Sequence, residues 1–139
     1  MTWLTWALFS AVFAAATAIL AKLGVEGVDS NFATAIRTTV VVVFTWFIAY
    51  AARQPGTFNV PSNRTWLYLA LSGLATGLSW LCYFRALQLG PASRVAPIDK
   101  LSVALVILFG MLFLGERLTW GKAVGGTLIV AGAIFVALD

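Results

Sequence analysis

Residues 103–114 read VALVILFGMLFL, an unbroken apolar run. A strand with one wet face alternates apolar and polar side chains, and the strands of a membrane barrel do so in segments of roughly 10 residues. This run does not alternate. Followed outward it spans residues 95–115, with Asp99 and Lys100 as its charges. A run of about 20 residues crosses a hydrocarbon core roughly 30 Å thick at about 1.5 Å per residue. Lipid offers no partner to backbone N–H and C=O groups, so an open segment at that depth must be helical.

The same reading applies along the chain. Apolar runs predict five transmembrane helices at about 3–21, 32–52, 65–85, 95–115 and 121–138, within one domain covering residues 1–139. The fold class expected is therefore an all-α integral membrane protein. Composition agrees: of 139 residues, 61% are hydrophobic and 10% charged, against roughly 25% charged in a soluble globular chain. The lipid bilayer is thus the first partner the sequence implies. The first run offers small residues (AVFAAATA) like those at a signal-peptide cleavage site. It lacks a basic leading segment and four more spans follow, so it is read as a retained helix.

Composition also excludes classes of function. The basic residues are scattered singly and form no nucleic-acid patch. There is no His, and the single Cys82 sits in an apolar run, where it reads as a small packing residue. A zinc site, a disulfide and a Cys/His nucleophile pair are absent from one chain. No catalytic residue, metal or cofactor is expected, and the chain is not read as an enzyme.

The connections are short. Gly24, Gly27, Asp29 and Ser30 separate the first two helices; Pro55, Gly56 and Pro61 precede the third, whose SNRTW start reads as a cap. Trp3, Trp6, Tyr50, Trp66 and Trp120 lie near run ends, suited either to headgroup level or to packing. Gly73 with Gly77, and Gly121 with Gly125 and Gly132, mark stripes where helices can approach within one chain or between two.

Five spans place the termini on opposite sides. Arg53, Arg64, Arg117 and Lys122 fall on the N-terminal side; Lys22 and Arg94 lie in loops on the other, with Arg37, Arg85 and Lys100 in or at the ends of spans there. This near balance permits insertion in both orientations. About 25 Å of helix rise separates Asp99 from Glu116, and a similar distance separates Arg37 from Arg53. Arg37, Arg85, Asp99 and Lys100 are therefore expected at one level near the second interface. Two readings of that layer stay open. Asp99 can be the third residue of a helix begun at Pro97, its charge meeting free N–H groups, while Arg85 and Lys100 snorkel. Alternatively the charges surround a polar cavity. Being adjacent, Asp99 and Lys100 should diverge by about 100° on a regular helix. Pro91 and Pro97 predict an irregular approach.

The stretch from Tyr83 to Leu138 resembles the repeat unit of the EamA family of the drug/metabolite transporter superfamily. The resemblance rests on Ala86-Leu87, the small residues and Pro97 before the fourth helix, the LGERLT turn at residues 114–119, and the glycines from Gly125 to Gly132. Arg37 resembles an arginine found early in that family's second helix. Ten-helix members are built as two inverted five-helix repeats, so the resemblance implies one repeat standing alone, able to pair as an antiparallel homodimer. PIDKLS resembles the stand-alone five-helix subgroup. The first helix departs from the small multidrug members, which keep a carboxylate there.

The expected function is a secondary transporter of a small-molecule metabolite, working by alternating access in the cell inner (plasma) membrane as a multi-pass antiparallel homodimer. Asp99 is the candidate proton-linked carboxylate. Arg37, Arg85 and Lys100 are candidates for binding an anionic group; Trp80, Tyr83 and Phe84 either pack, the favoured reading, or supply a ring surface. The alternative is a non-transporting membrane subunit of a heteromeric complex.

Overall fold

Lipid forces the backbone to satisfy itself, and the computed structural model of the protein, which describes residues 2–52 and 62–139, shows regular structure that is helical throughout those residues. The elements are α1 (Trp3–Gly24), α2 (Ser30–Ala51), α3 (Asn63–Leu89), α4 (Ala92–Asp99), α5 (Ser102–Leu114) and α6 (Trp120–Leu138). Five stretches are long and apolar enough to cross a membrane, with α4 and α5 together making the fourth, Ala92–Leu114. Arg53, Pro55, Gly56 and Pro61 lie outside the described residues.

Local chemistry sets the helix ends. Gly27 turns the chain at φ 73°, a region open to glycine. Asp29 then caps α2, its carboxylate accepting from the N–H groups of Asn31 and Phe32, each at 3.0 Å. The Ser62 hydroxyl accepts from the Thr65 N–H at 3.2 Å, the cap expected of SNRTW. α5 ends on Gly115 at φ 66°, where the N–H groups of Gly115 and Glu116 converge on the Gly110 carbonyl. Thr119 opens α6 by accepting from the Lys122 N–H at 3.3 Å. Lys122 Nζ in turn pairs with Glu116 Oε2 at 2.7 Å. The LGERLT turn is thus a left-handed glycine, a hydroxyl cap and an ion pair closing one short loop.

The fourth span departs from expectation. The helix begins at Ala92 rather than near Pro97, and Pro97 sits inside α4. Proline lacks an N–H and its ring crowds the carbonyl four residues back. The ladder tightens just beyond it: Lys100 donates to Pro97, Leu101 to Ile98, Val103 to Lys100 and Ala104 to Leu101. This 3₁₀-like stretch divides α4 from α5. Asp99 is consequently the last residue of α4, not the third residue of a new helix.

The described chain forms two compact units, one of α1 through Leu23 with Leu89–Asp139, the other Gly24–Gln88. In the first, α4 and α5 pack against α6. Gly126 makes the close approach: a Cβ there would lie 3.1 Å from Ile107 Cδ1. Gly110 lies under the Glu116 carboxyl, where a Cβ would meet Cδ at 3.4 Å. Lys22 Nζ donates to the Gly90 carbonyl at 3.1 Å. In the second unit Val25, Ala33, Phe84 and Leu87 are buried.

Gly73, Gly77, Gly121, Gly125 and Gly132, the stripes singled out by spacing, have no described atom within 4 Å of an added Cβ. Most large apolar side chains project outward, among them Trp3, Trp6, Tyr50, Trp66 and Trp120. Cys82 is exposed rather than a packing residue. Such an exterior suits lipid and not water.

Gly115→Ala should cost about 1 kcal/mol, because the left-handed backbone strains any Cβ. Gly126→Ala should cost less, since only the end of the Ile107 side chain must give. Thermal unfolding of the two variants in detergent should rank them in that order; equal melting temperatures would contradict it.

Candidate functional site

Arg37 lies about 10 Å along α2 from Ser30, well inside a span. An arginine at the centre of a span costs roughly 2.5–3.5 kcal/mol on insertion scales, less near the interface. The structure shows what receives it. Trp80 and Phe84 are four residues apart and share one face of α3. The Arg37 guanidinium stands over both rings, 4.1 Å from the Trp80 centroid and 5.5 Å from that of Phe84. A stack of this kind contributes about 0.5–2 kcal/mol, the more the less water reaches it, which offsets part of the insertion cost. No hydrogen bond or ion pair ties Arg37 to another described residue. Neither α2 nor α3 carries an acidic residue.

The surroundings on α2 are threonines with spent donors. Thr34 and Thr38 give their hydroxyl protons to the Ser30 and Thr34 carbonyls, each at 2.7 Å, and Thr39 does the same to Ala35 at 3.0 Å. A groove of about 480 Å³ runs along these residues, walled further by Val42, Gly77 and Leu81. Tyr83 is half-buried on α3.

Arg85 is exposed near the end of α3. Its Nη1 donates to Gln88 Oε1 at 3.0 Å. The amide nitrogen of Gln88 donates in turn to the carbonyls of Val28 and, at 3.4 Å, Val25. Gln88 thus latches the end of α3 to the turn before α2, and Arg85 orients it. Sequence reading missed Gln88; the three-residue spacing to Arg85 on one helix was the available signal.

Asp99 and Lys100 meet each other: Lys100 Nζ lies 3.0 Å from Asp99 Oδ2, both side chains partly exposed. The divergence expected on a regular helix does not apply, because α4 ends at Asp99 and Lys100 is its C-cap, at φ −72° and ψ −6°. The pair therefore marks the break within the fourth span. Arg37, Arg85, Trp80, Tyr83 and Phe84 belong to the Gly24–Gln88 unit, and Asp99 and Lys100 to the other.

Five spanning helices, a glycine-ended LGERLT turn and an arginine held on aromatic rings early in the second span are the features to be compared with known proteins. The family model described as the EamA-like transporter family matches residues 1–138. The chain belongs to this family. An uncharacterized transporter from a Sinorhizobium species, named for its place in the cobO 3′ region, is 54% identical over 99% of this chain and 97% of its own length. A probable terminal-alkyne amino-acid exporter of Streptantibioticus cattleyicolor is 33% identical over 96% of this chain but 44% of its own length. A probable 4-amino-4-deoxy-L-arabinose-phosphoundecaprenol flippase subunit, ArnF of Erwinia tasmaniensis, is 42% identical over 50% of this chain and 55% of its own. No solved structure matches. Membership of a transporter family and five spans make this EamA chain a multi-pass membrane protein.

Gln88→Ala would leave the Val25 and Val28 carbonyls without their side-chain donor. We expect a loss of about 1–2 kcal/mol. Adding Arg85→Ala to it should cost little more, because the arginine acts through the amide it orients. Detergent unfolding of the two single variants and the double variant checks this; additive losses would show that Arg85 acts independently of Gln88.

Proposed function

We propose that this EamA chain is a secondary transporter, moving a small metabolite across the plasma membrane by alternating access as an antiparallel homodimer. The observation that carries the reading is the full-length family match. It is supported by the exporter in which a segment aligned to nearly all of this chain occupies 44% of the length. A chain of that size with an odd number of spans supplies one repeat, and a second copy inserted the other way supplies its inverted partner. The near balance of Lys and Arg on the two sides supports both insertions. The glycine stripes with open space above them, Gly73 with Gly77 and Gly121 with Gly125, support contact between copies.

In this reading Arg37 receives an anionic group of the substrate, and Trp80, Tyr83 and Phe84 hold the arginine and supply ring surface. Asp99 and Lys100 are the coupling pair. Asp99 is the proton-linked carboxylate in this reading, and its pair with Lys100 stands at the α4–α5 break. Arg85 positions Gln88. The function is transport and not catalysis. A non-transporting subunit is less well supported, since the relative named as a subunit is a flippase subunit.

The first test is orientation. Compartment-sensitive reporters on each terminus should give comparable signals from both sides of the membrane. A single orientation would remove the antiparallel homodimer and turn attention to a partner chain. Once a substrate is found, Asp99→Asn should abolish proton-driven transport while leaving exchange of substrate between the two sides; coupling that persists would take the role from Asp99.

A further inference from the structure

We infer that the turn between α5 and α6 binds one anionic phospholipid, with its phosphodiester against Lys122 and Arg117 and an acyl chain in the groove between the two helices. Shape comes first. A groove of about 270 Å³ is lined by Ala104 and Ile107 of α5 and by Ala123, Gly126 and Val130 of α6, with Lys122 at one end. Gly126 lets α6 approach Ile107 there. Val130 lies eight residues past Lys122, about 12 Å along the helix, so the groove runs from the turn into the span. Beyond Lys122 its side chains are apolar apart from Thr127, whose hydroxyl gives its proton to the Ala123 carbonyl at 2.9 Å. Such a lining offers a polar solute few partners and suits an alkyl chain.

Charge comes second. The turn carries one acid, Glu116, and two bases, Arg117 and Lys122, so its net charge is +1. The Glu116 carboxylate lies over Gly110 and meets Lys122 Nζ at 2.7 Å. That pair fixes the ammonium at the end of the groove and uses one of its three N–H donors. Arg117 follows Glu116 directly, is exposed, and has no hydrogen bond or ion pair with another described residue. A phosphodiester carries one negative charge on two unesterified oxygens. It therefore matches both the excess charge of the turn and the donors left over on its two cations.

Level comes third. Lys122 is the third residue of α6, and the exposed Trp120 opens that helix, as an aromatic at headgroup depth does. The cations thus lie where phosphates lie, and the groove extends from them to where acyl chains lie. A free anion would meet the cations and leave the groove unused. A lipid of zero net charge would fill the groove and leave the excess charge unmatched. An anionic phospholipid uses both. The inference needs the chain to be in a bilayer and does not need it to transport.

The experiment is native mass spectrometry of the full chain in a non-ionic detergent, titrated with phosphatidylglycerol, phosphatidylcholine and glycerol 3-phosphate. Phosphatidylglycerol should saturate at one per chain and bind about fivefold more tightly than phosphatidylcholine. Glycerol 3-phosphate should not bind at the same concentrations. Arg117→Gln leaves the Lys122–Glu116 pair in place and should bring the two lipids within about twofold of each other. Thr127→Phe puts a ring into the groove and should weaken both lipids by about threefold or more. Thr127 is exposed, so unfolding of that variant in the same detergent should match the wild type, and Arg117→Gln tests the site without touching the groove. The inference is overturned if phosphatidylcholine binds as tightly, if phosphatidylglycerol adds without saturating, or if glycerol 3-phosphate binds as well as the whole lipid. It is also overturned if Arg117→Gln keeps the preference or Thr127→Phe keeps the affinity. Each of those results leaves the orientation measurement untouched, so transport by an antiparallel pair would stand or fall separately.

Discussion

A backbone amide in hydrocarbon has no water to fall back on, and this single fact organises the molecule. It makes every span helical and leaves the side chains free to meet lipid. It also sets the value of each exception. Where the ladder runs regularly, as through α6, the sequence needs only apolar residues of sufficient length. Where a residue withdraws a donor, as Pro97 does, the chain must tighten locally, and the resulting 3₁₀ stretch is where Asp99 and Lys100 sit. Polar side chains at depth obey the same rule: Thr34, Thr38 and Thr39 hand their protons to their own helix.

Against that background Arg37 stands over rings, as Arg64 does over Tyr68 at 5.6 Å. Other cations have oxygen partners: Lys22 with the Gly90 carbonyl, Arg85 with Gln88, Lys100 with Asp99 and Lys122 with Glu116. Arg37 instead has rings. Rings stabilise a cation without neutralising it, so the charge stays available to an anion. A salt bridge would have held the side chain more firmly and removed that availability. The difference between Arg37 and Arg85 is thus one of partner chemistry rather than residue type. The first stacks on rings, and the second bonds the amide that ties α3 to the turn at Val25–Val28.

The membrane also explains the glycines. In water a close helix contact follows from burying apolar surface; in lipid it requires backbones to approach. Gly126 does this within the chain, beneath Ile107, and Gly110 does it beneath Glu116. Among the described residues the GxxxG stripes have no such neighbour. Spacing alone could not distinguish a glycine used inside the chain from one left open, because both satisfy the same periodicity.

Sequence by itself determined the fold class, the number of spans and the family resemblance, since hydrophobic length, the absence of alternation and the LGERLT turn are local properties. It located Arg37, Asp99, Lys100 and Arg85 for the same reason: a charge in an apolar run is visible without coordinates. It did not place the irregularity of the fourth span: the stretch between Pro91 and Pro97, expected to be irregular, is helical, and the ladder tightens only beyond Pro97. What it could not decide was who meets whom. The start of α4 at Ala92, the Asp99–Lys100 pairing, the Gln88 latch and the stack of Arg37 on Trp80 and Phe84 depend on where the helices stop and how their faces turn toward each other. Those are set by many weak contacts across segments far apart in the chain, and they exist only once the tertiary structure has formed.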